Sequence, residues 1–144
     1  MNKNKILAAL VLLLIGAIAF LWGRRATRSD VSVELSKDIY KRGEEMQLTV
    51  GNNSFKKICF STCFPYYLQY KEENWNTYNY PSCSEKNLNM PCVSPGESKT
   101  FSFSLNKKLR EKIHRLAIPI NRGGEKGSKF EEDQKVHSEI FDVK

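Results

Sequence analysis

The chain has 144 residues and a formal net charge of +7, and 40% of its residues are hydrophobic. This length leaves room for one domain, and this composition is typical of a folded protein rather than a disordered one. Residues 1–30 hold five basic residues and one acid, so residues 31–144 hold 18 basic and 15 acidic residues. Because that part of the chain is only mildly basic with mixed signs, no nucleic-acid partner is expected.

An apolar segment near the amino terminus predicts membrane attachment. Residues 6–22 contain no charged or strongly polar side chain. As a helix they span about 26 Å, slightly less than the ~30 Å hydrocarbon core, and Lys5 and Arg24 can reach the two interfaces. The sequence therefore predicts a signal anchor, or transmembrane helix, over residues 1–23, followed by a polar linker over residues 24–30.

A cleaved signal peptide is the alternative interpretation of this segment. Ala17-Ile18-Ala19 offers a cleavage site of the A-x-A type. Cleavage there leaves Phe20 at the mature end, and no polar region precedes the site, so an uncleaved, single-pass anchor is favoured. The basic residues on the two sides are nearly balanced, so the positive-inside rule does not decide the orientation.

Four clustered cysteines predict two disulfides. The chain that carries the predicted export signal has four cysteines within 34 residues: Cys59, Cys63, Cys83 and Cys92. A zinc site is less favoured, because eight residues separate the last two cysteines and structural zinc prefers close pairs. The first two lie roughly 13 Å apart in an extended chain, so each is expected to pair with one of the last two unless Ser61-Thr62 forms a tight turn. Disulfides favour placing residues 31–144 outside the cytoplasm.

Short segments of alternating polarity predict an all-β domain over residues 31–144. Apolar residues recur at every second position, which is the pattern of a half-buried strand. The third strand is expected to begin at Phe55, and the last to place Ile140 on the same face as Val136. The result is an antiparallel β-sandwich of about seven strands, at residues 31–35, 46–50, 55–60, 66–70, 101–105, 113–120 and 136–143.

Turn signals separate these segments. Gly43 can adopt a positive φ, and Pro95-Gly96 suits the central positions of a turn. Residues 71–97 are polar and too long for a plain loop, which indicates an insertion tethered by cysteines. A helical turn is expected at residues 107–112, and a mobile hairpin loop at residues 121–133.

Three stretches resemble bacterial extracellular immunoglobulin-like modules. The first is a strand, the motif Y-x-x-G-E beginning at Tyr40, a second strand, and N-x-S beginning at Asn52. The second is the turn and strand P-G-E-S-x-T-F beginning at Pro95. The third pairs residues 114–116 with residues 138–141, where the family commonly has an aromatic residue in place of His114. The resemblance implies an immunoglobulin-like sandwich over most of residues 31–144, distantly similar to intracellular proteinase-inhibitor-like domains.

No catalytic motif, metal-ligand set or cofactor motif is recognisable, so an enzyme is not expected. The residues that stand out are aromatic ones close to Asn residues, a composition typical of binding surfaces. They are predicted to form such a surface, although packing over one end of the sandwich is the alternative. The candidates are Tyr67, Trp75, Tyr78 and Tyr80.

These features predict a membrane-tethered, exported binding or structural module of the cell envelope, without enzymatic activity. It would attach to the membrane through residues 6–22 and contact an unknown protein or envelope partner. The alternative is a protease inhibitor that presents an exposed loop, either residues 71–92 or residues 121–133. A helper subunit of a larger envelope complex is a third hypothesis.

Overall fold

The computed structural model describes residues 30–83 and 86–144. The predicted signal anchor and almost all of the predicted linker lie outside the described residues. Among the residues described, no helix is long and apolar enough to span a bilayer. Regular structure in these two ranges consists of eleven strands and no α-helix, which confirms the predicted all-β fold.

Eleven strands replace the seven expected, because short pairings arise where the sequence shows no alternation. Strands β2, β6 and β7 lie in segments predicted as turn or insertion, and the last predicted strand divides into β10 and β11. In chain order the strands are β1 (Val31–Leu35), β2 (Ile39–Tyr40), β3 (Glu45–Asn52), β4 (Ile58–Ser61), β5 (Tyr67–Lys71), β6 (Trp75–Thr77), β7 (Asn89–Val93), β8 (Ser98–Ser104), β9 (Ile113–Arg122), β10 (Gln134–His137) and β11 (Phe141–Val143).

The strands form two sheets. The first is three-stranded, in the order β1-β3-β8, and the second is eight-stranded around β9. Ala117 of β9 pairs with Tyr67 of β5 and with His137 of β10, so these two strands lie on opposite edges of β9. Strand β4 continues the β5 edge towards β7, whereas β11 continues the β10 edge and pairs in parallel with β2. All other pairings between named strands are antiparallel.

The core lies between the sheets and follows the predicted alternation. Met46, Leu48 and Val50 of β3 are fully buried, while the residues between them are more exposed. On β9, Leu116 and Ile118 are also fully buried, but burial there is continuous from Leu116 to Ile120 and does not alternate. Each such side chain contributes about 1.5–3 kcal/mol when it leaves water, which is why the alternation determines the face each strand buries.

Two strand predictions were wrong at their margins. Phe55 does not begin the third strand: its side chain is 101% exposed, and β4 begins only at Ile58. Ile140 does not share a buried face with Val136, because the chain leaves β10 after His137 and Ile140 is 59% exposed.

The two predicted loops also differ from expectation. Residues 107–108 form a turn, and no helix forms over residues 107–112. Strand β9 extends into the predicted hairpin loop as far as Arg122. The rest of that loop lies against the start of β7, where the N–H of Asn89 donates to the Ser128 carbonyl at 2.8 Å. Phe130 in the same loop is buried.

The two ends of the sandwich carry different loops. Val31 pairs with Asn52, so the start of β1 and the β3–β4 turn share one end, here termed the Asp30 end. Strand β9 begins at the opposite end, where His114 pairs with Tyr70 near the β5–β6 hairpin. This second end is termed the Trp75 end. Strand β3 has eight residues and spans about 26 Å between the ends.

Candidate binding surface

Two disulfides are present among the described residues, and one of them encloses the candidate residues. Cys59 bonds to Cys92, joining directly paired residues of β4 and β7, and Cys63 bonds to Cys83. The prediction that each of the first two cysteines pairs with one of the last two is therefore confirmed. No group of metal-ligating side chains occurs within residues 30–83 and 86–144. The second disulfide closes residues 63–83, the segment that contains all four predicted surface aromatic residues.

Trp75 lies on the outer face of the large sheet. It pairs with Lys71 of β5, and its side chain is half-buried. The guanidinium Cζ of Arg115 lies 4.2 Å from the indole centroid, and the Nζ of Lys71 lies 5.6 Å from it. Arg115 is held in place because its Nε donates to Oε1 of Gln69 at 2.8 Å. Trp75 therefore belongs to an outward-facing contact between an aromatic ring and two cations.

Further basic side chains surround the Tyr70 ring at the same end of the sandwich. The Cζ of Arg110 lies 5.3 Å from the ring centroid, and the Nζ of Lys112 lies 5.5 Å from it. Glu72 accepts hydrogen bonds from both cations. The hydrogen bond from Lys112, followed by the charges of Lys112 and Arg110, holds the pKa of Glu72 below its usual range. One carboxylate thus pairs with two cations.

Tyr78 points the other way and packs against the core. Its hydroxyl lies 3.1 Å from Nε2 of His114, and the two rings are stacked with centroids 6.0 Å apart. His114 is fully buried and also stacks on Phe141, at 5.7 Å. Burial raises the pKa of Tyr78 and lowers the pKa of His114. The structure therefore separates Tyr78 from Trp75, although both lie in the same short segment.

Tyr67 and Tyr80 form an aromatic cluster with Phe64. The three ring centroids lie 5.1–5.6 Å from one another. The hydroxyl of Tyr80 accepts a hydrogen bond from the N–H of Leu68 at 2.6 Å, and burial raises the pKa of Tyr80. Tyr67 is half-buried and borders a small hollow on the outer face of the sheet with Gln69. Tyr67 and Trp75 thus share the outer face, whereas Tyr80 is held in place by its hydrogen bond.

Tyr78 and Tyr80 also line a mainly apolar cleft between the edges of the two sheets. The cleft has a volume of about 310 Å³ and includes Tyr66, Phe103 and Leu109. Tyr66 stacks on Phe103 with centroids 4.1 Å apart, which closes the sheets against each other. The predicted surface is therefore two separate features, an outer face around Trp75 and an inner cleft beside Tyr78.

Sequence reasoning missed the cations of this site. Residues 107–112 stand out only as a charged run, and Arg115 appears only within a predicted strand. The signal was present, because Arg115 lies between the inward-facing His114 and Leu116 and must point outward by alternation. What the sequence does not show is that β5 and β6 bring Trp75 beside it.

The segments considered as inhibitory loops are partly paired with each other. Besides the Asn89–Ser128 hydrogen bond, the N–H of Phe130 donates to the Asn87 carbonyl at 2.9 Å. The N–H of Gly127 donates to the Asn89 carbonyl at 3.0 Å. These bonds occupy main-chain groups that an extended inhibitory loop would offer to a protease.

The fold defines a two-sheet, sandwich-like, disulfide-bonded β domain. No protein-family model and no curated protein sequence matches the chain. Among solved structures, the sporulation control protein Spo0M of Bacillus subtilis is similar with 20% identity and a TM-score of 0.39, over 79% of this chain and 48% of that protein. The DNA glycosylase AlkC of Pseudomonas fluorescens is similar with 9% identity and a TM-score of 0.38, over 82% and 31%. A β-glucosidase of Listeria innocua is similar with 15% identity and a TM-score of 0.30, over 80% and 16%.

This chain thus spans less than half the length of each of these three proteins. The TM-scores lie below the level at which a shared fold is informative, so no function is transferred from them.

Proposed function

We propose that this chain is a membrane-tethered, exported, immunoglobulin-like binding module without enzymatic activity. Its partner contacts the outer face of the β5–β6 hairpin around Trp75. The observation that carries this proposal is the half-exposed indole stacked 4.2 Å from the guanidinium of Arg115, within a segment closed by the Cys63–Cys83 disulfide. Trp, Tyr and Arg on a rigid support are the side chains that dominate the energy of protein interfaces.

Two features support location at the outer side of a membrane, and a third concerns access to the site. The two disulfides require an oxidising compartment. Residues 6–22 have the composition of a membrane anchor. The sandwich also places the Trp75 end about 26 Å from Asp30, the residue at which the predicted linker ends. A surface held away from the bilayer is accessible to a partner in the envelope.

The charges of the site indicate the chemistry of the partner. Lys71 and Arg115 lie over the Trp75 ring. Arg110 and Lys112 lie over the Tyr70 ring, which packs on Tyr78 with centroids 4.8 Å apart, and both cations pair with Glu72. A partner with carboxylates beside an apolar contact fits this arrangement. Complementary charge of this kind increases the association rate and the specificity more than the affinity.

Photo-crosslinking in native cells tests this proposal. A photoreactive amino acid at Thr77, an exposed position of β6, is expected to trap one envelope protein. The matched control is Ser102, an exposed position of β8 in the other sheet. The Trp75→Ala substitution should abolish the adduct at position 77 without unfolding the domain.

Each result has a distinct meaning. An adduct at position 102 but not at position 77 would place the partner on the three-stranded sheet and overturn the assigned surface. Recovery of the chain in the carbonate-soluble fraction of the cells would overturn the membrane tether instead. Inhibition of a protease panel by the purified full chain at micromolar concentration would favour the inhibitor hypothesis.

A further inference from the structure

Phe55 is the most exposed large apolar side chain among the described residues. Its relative exposure is 101%, whereas the other exposed large apolar side chains range from 41% to 59%. Phe55 lies on the turn between β3 and β4, at the Asp30 end. A single exposed apolar residue is common on protein surfaces, so the surroundings of Phe55 decide whether it has a role.

The turn that carries Phe55 is held from inside the protein. Asn52 is buried, and its Nδ2 donates to the carbonyls of Lys56 at 2.8 Å and Val93 at 3.0 Å. Its Oδ1 accepts from the N–H and the hydroxyl of Ser54, at 3.1 Å and 2.7 Å. Three of these four bonds go to the turn, and the fourth joins Asn52 to Val93 of β7. Phe55 is therefore presented to solvent on a fixed support rather than on a loose loop.

The same turn is joined to the point where the predicted linker ends. The N–H of Asn53 donates to the carbonyl of Asp30 at 2.8 Å. Only residues 23–30 separate the apolar residues 6–22 from this point, and eight residues span at most about 29 Å. If residues 6–22 cross a bilayer, the turn bearing Phe55 lies within reach of its surface.

Basic residues lie on the same turn as the exposed ring. Lys56 and Lys57 follow Phe55 directly, and Lys56 runs along Gly123, where an added Cβ would lie 4.0 Å from its Cδ. Arg122 lies in the same region and pairs with Asp133 at 3.3 Å, so its charge is offset. Asp30 and Glu97 also lie at this end, and Glu132, next to Asp133, pairs with Lys135 at 3.2 Å. The two lysines beside Phe55 therefore form the basic feature of the turn.

We propose that Phe55 inserts into the interface of the bilayer and that Lys56 and Lys57 contact anionic phospholipid headgroups. This inference rests on the membrane tether of the proposed function. An apolar ring flanked by basic residues is the combination that binds membrane interfaces, and each lysine near an anionic surface strengthens binding roughly fivefold. Phe55 is a second, reversible contact that holds the sandwich upright, with the Trp75 end directed away from the membrane.

The test uses the full chain in vesicles of phosphatidylethanolamine and phosphatidylglycerol. A benzophenone amino acid replaces Phe55 in one variant and Ile39 in a matched control. Ile39 is 50% exposed and lies at the opposite end of the sandwich. After irradiation, mass spectrometry counts lipid adducts. Because the ends are about 26 Å apart, which exceeds the thickness of the headgroup layer, we expect at least about tenfold more adducts at position 55.

A second measurement isolates the lysines. Replacing phosphatidylglycerol with phosphatidylcholine should lower the adduct yield at position 55 several-fold, and Lys56→Gln with Lys57→Gln should do the same in anionic vesicles. Equal yields at positions 55 and 39, or a yield at position 55 that is insensitive to lipid charge, would overturn the proposal. Carbonate extraction of native membranes separates the two hypotheses. If the chain stays in the pellet and the yields at the two positions are equal, only the Phe55 contact is overturned. If the chain is extracted, the membrane tether is overturned as well.

Discussion

The Tyr78 hydroxyl lies 3.1 Å from Nε2 of the buried His114. Trp75, three residues earlier, lies on the outer face of the same sheet. Successive side chains of β6 lie on opposite faces of the sheet. The alternation continues to Tyr78, which points inward and whose N–H donates to the Leu68 carbonyl at 3.1 Å. Neighbours in sequence thus serve different purposes. One ring packs against the buried His114, and the other lies on the outer face of the sheet against Arg115.

Substitution of these two rings should therefore have opposite effects. Trp75→Ala is expected to lower the free energy of unfolding by less than about 1 kcal/mol, because its main contacts are surface cation–π pairs. Tyr78→Ala should cost about 2–4 kcal/mol, since it opens space beside His114 and removes a hydrogen bond. Urea denaturation followed by circular dichroism measures both. A larger loss for Trp75→Ala would mean that this indole is a core residue.

His114 should make the stability depend on pH. Burial lowers the pKa of His114 in the folded protein, so the unfolded chain takes up this proton more readily. Stability is then fully retained above the unfolded pKa of about 6.5 and is lost as the pH falls below it. We expect His114→Phe to flatten the dependence of the unfolding free energy on pH between about 7.5 and 5.

His137 provides the control for that measurement. Burial, followed by the charges of Arg115 and Lys135, also lowers the pKa of His137, although this residue is exposed at the end of β10. The His137→Gln variant keeps His114, so its unfolding free energy should still decrease as the pH falls. An identical pH slope in the wild type and in His114→Phe would contradict the assignment of the effect to the buried imidazole.

The two disulfides should be recovered with defined partners. Alkylation of the chain from native membranes without reductant, followed by peptide mass spectrometry, should identify Cys59–Cys92 and Cys63–Cys83. The two bonds join residues separated by 33 and 20 positions. Loop-closure entropy predicts a stabilisation of about 3–4 kcal/mol for each. Four alkylated thiols would instead place the domain in a reducing compartment.

Removal of each disulfide distinguishes their roles. The Cys59→Ala/Cys92→Ala variant should lose more stability, because Cys59 is fully buried in the core and its replacement leaves space there. The Cys63→Ala/Cys83→Ala variant should remain folded but bind its partner more weakly, since the segment bearing Trp75 loses its tether. Unchanged binding by the second variant would show that β5 and β6 hold the surface without the disulfide.

Asn52 should be required for the stability of the domain. Asn52→Ala leaves the Lys56 and Val93 carbonyls without this donor, at a cost of about 1–3 kcal/mol or more. The exposed Asn74→Ala should change the unfolding free energy by no more than about 0.5 kcal/mol. Thermal denaturation compares the two variants. Equal effects would mean that the hydrogen bonds of Asn52 do not support the turn.

The main strands and turns could be predicted because their causes are local. Alternation places Met46, Leu48 and Val50 on one face, and all three are buried. Gly43 and Gly96 adopt φ values of +78° and +81°, a region in which residues with a side chain are strained. Each of these features depends on a few neighbouring residues, so the sequence alone reveals them.

The remaining strands could not be predicted because their partners are distant in sequence. Strand β2 has two residues and exists through its pairing with β11, about a hundred residues later. Strand β7 lies in a polar segment and contains Pro91, yet it pairs with β4 beside the Cys59–Cys92 bond. The conformation of such segments is set by hydrogen bonds to another part of the sheet, which outweigh local preference.

By itself, the sequence determined an all-β domain, a set of turns, and a disulfide-linked segment rich in aromatic residues. Only the tertiary structure decided that Trp75 contacts Arg115 on the outer face of the sheet and that Tyr78 contacts His114 on the inner face. It also decided that Phe55 is fully exposed at the Asp30 end. The physical reason is the range of the interactions. Strand alternation reports the burial of neighbouring residues, whereas the position of each ring depends on β5, β6 and β9 lying side by side.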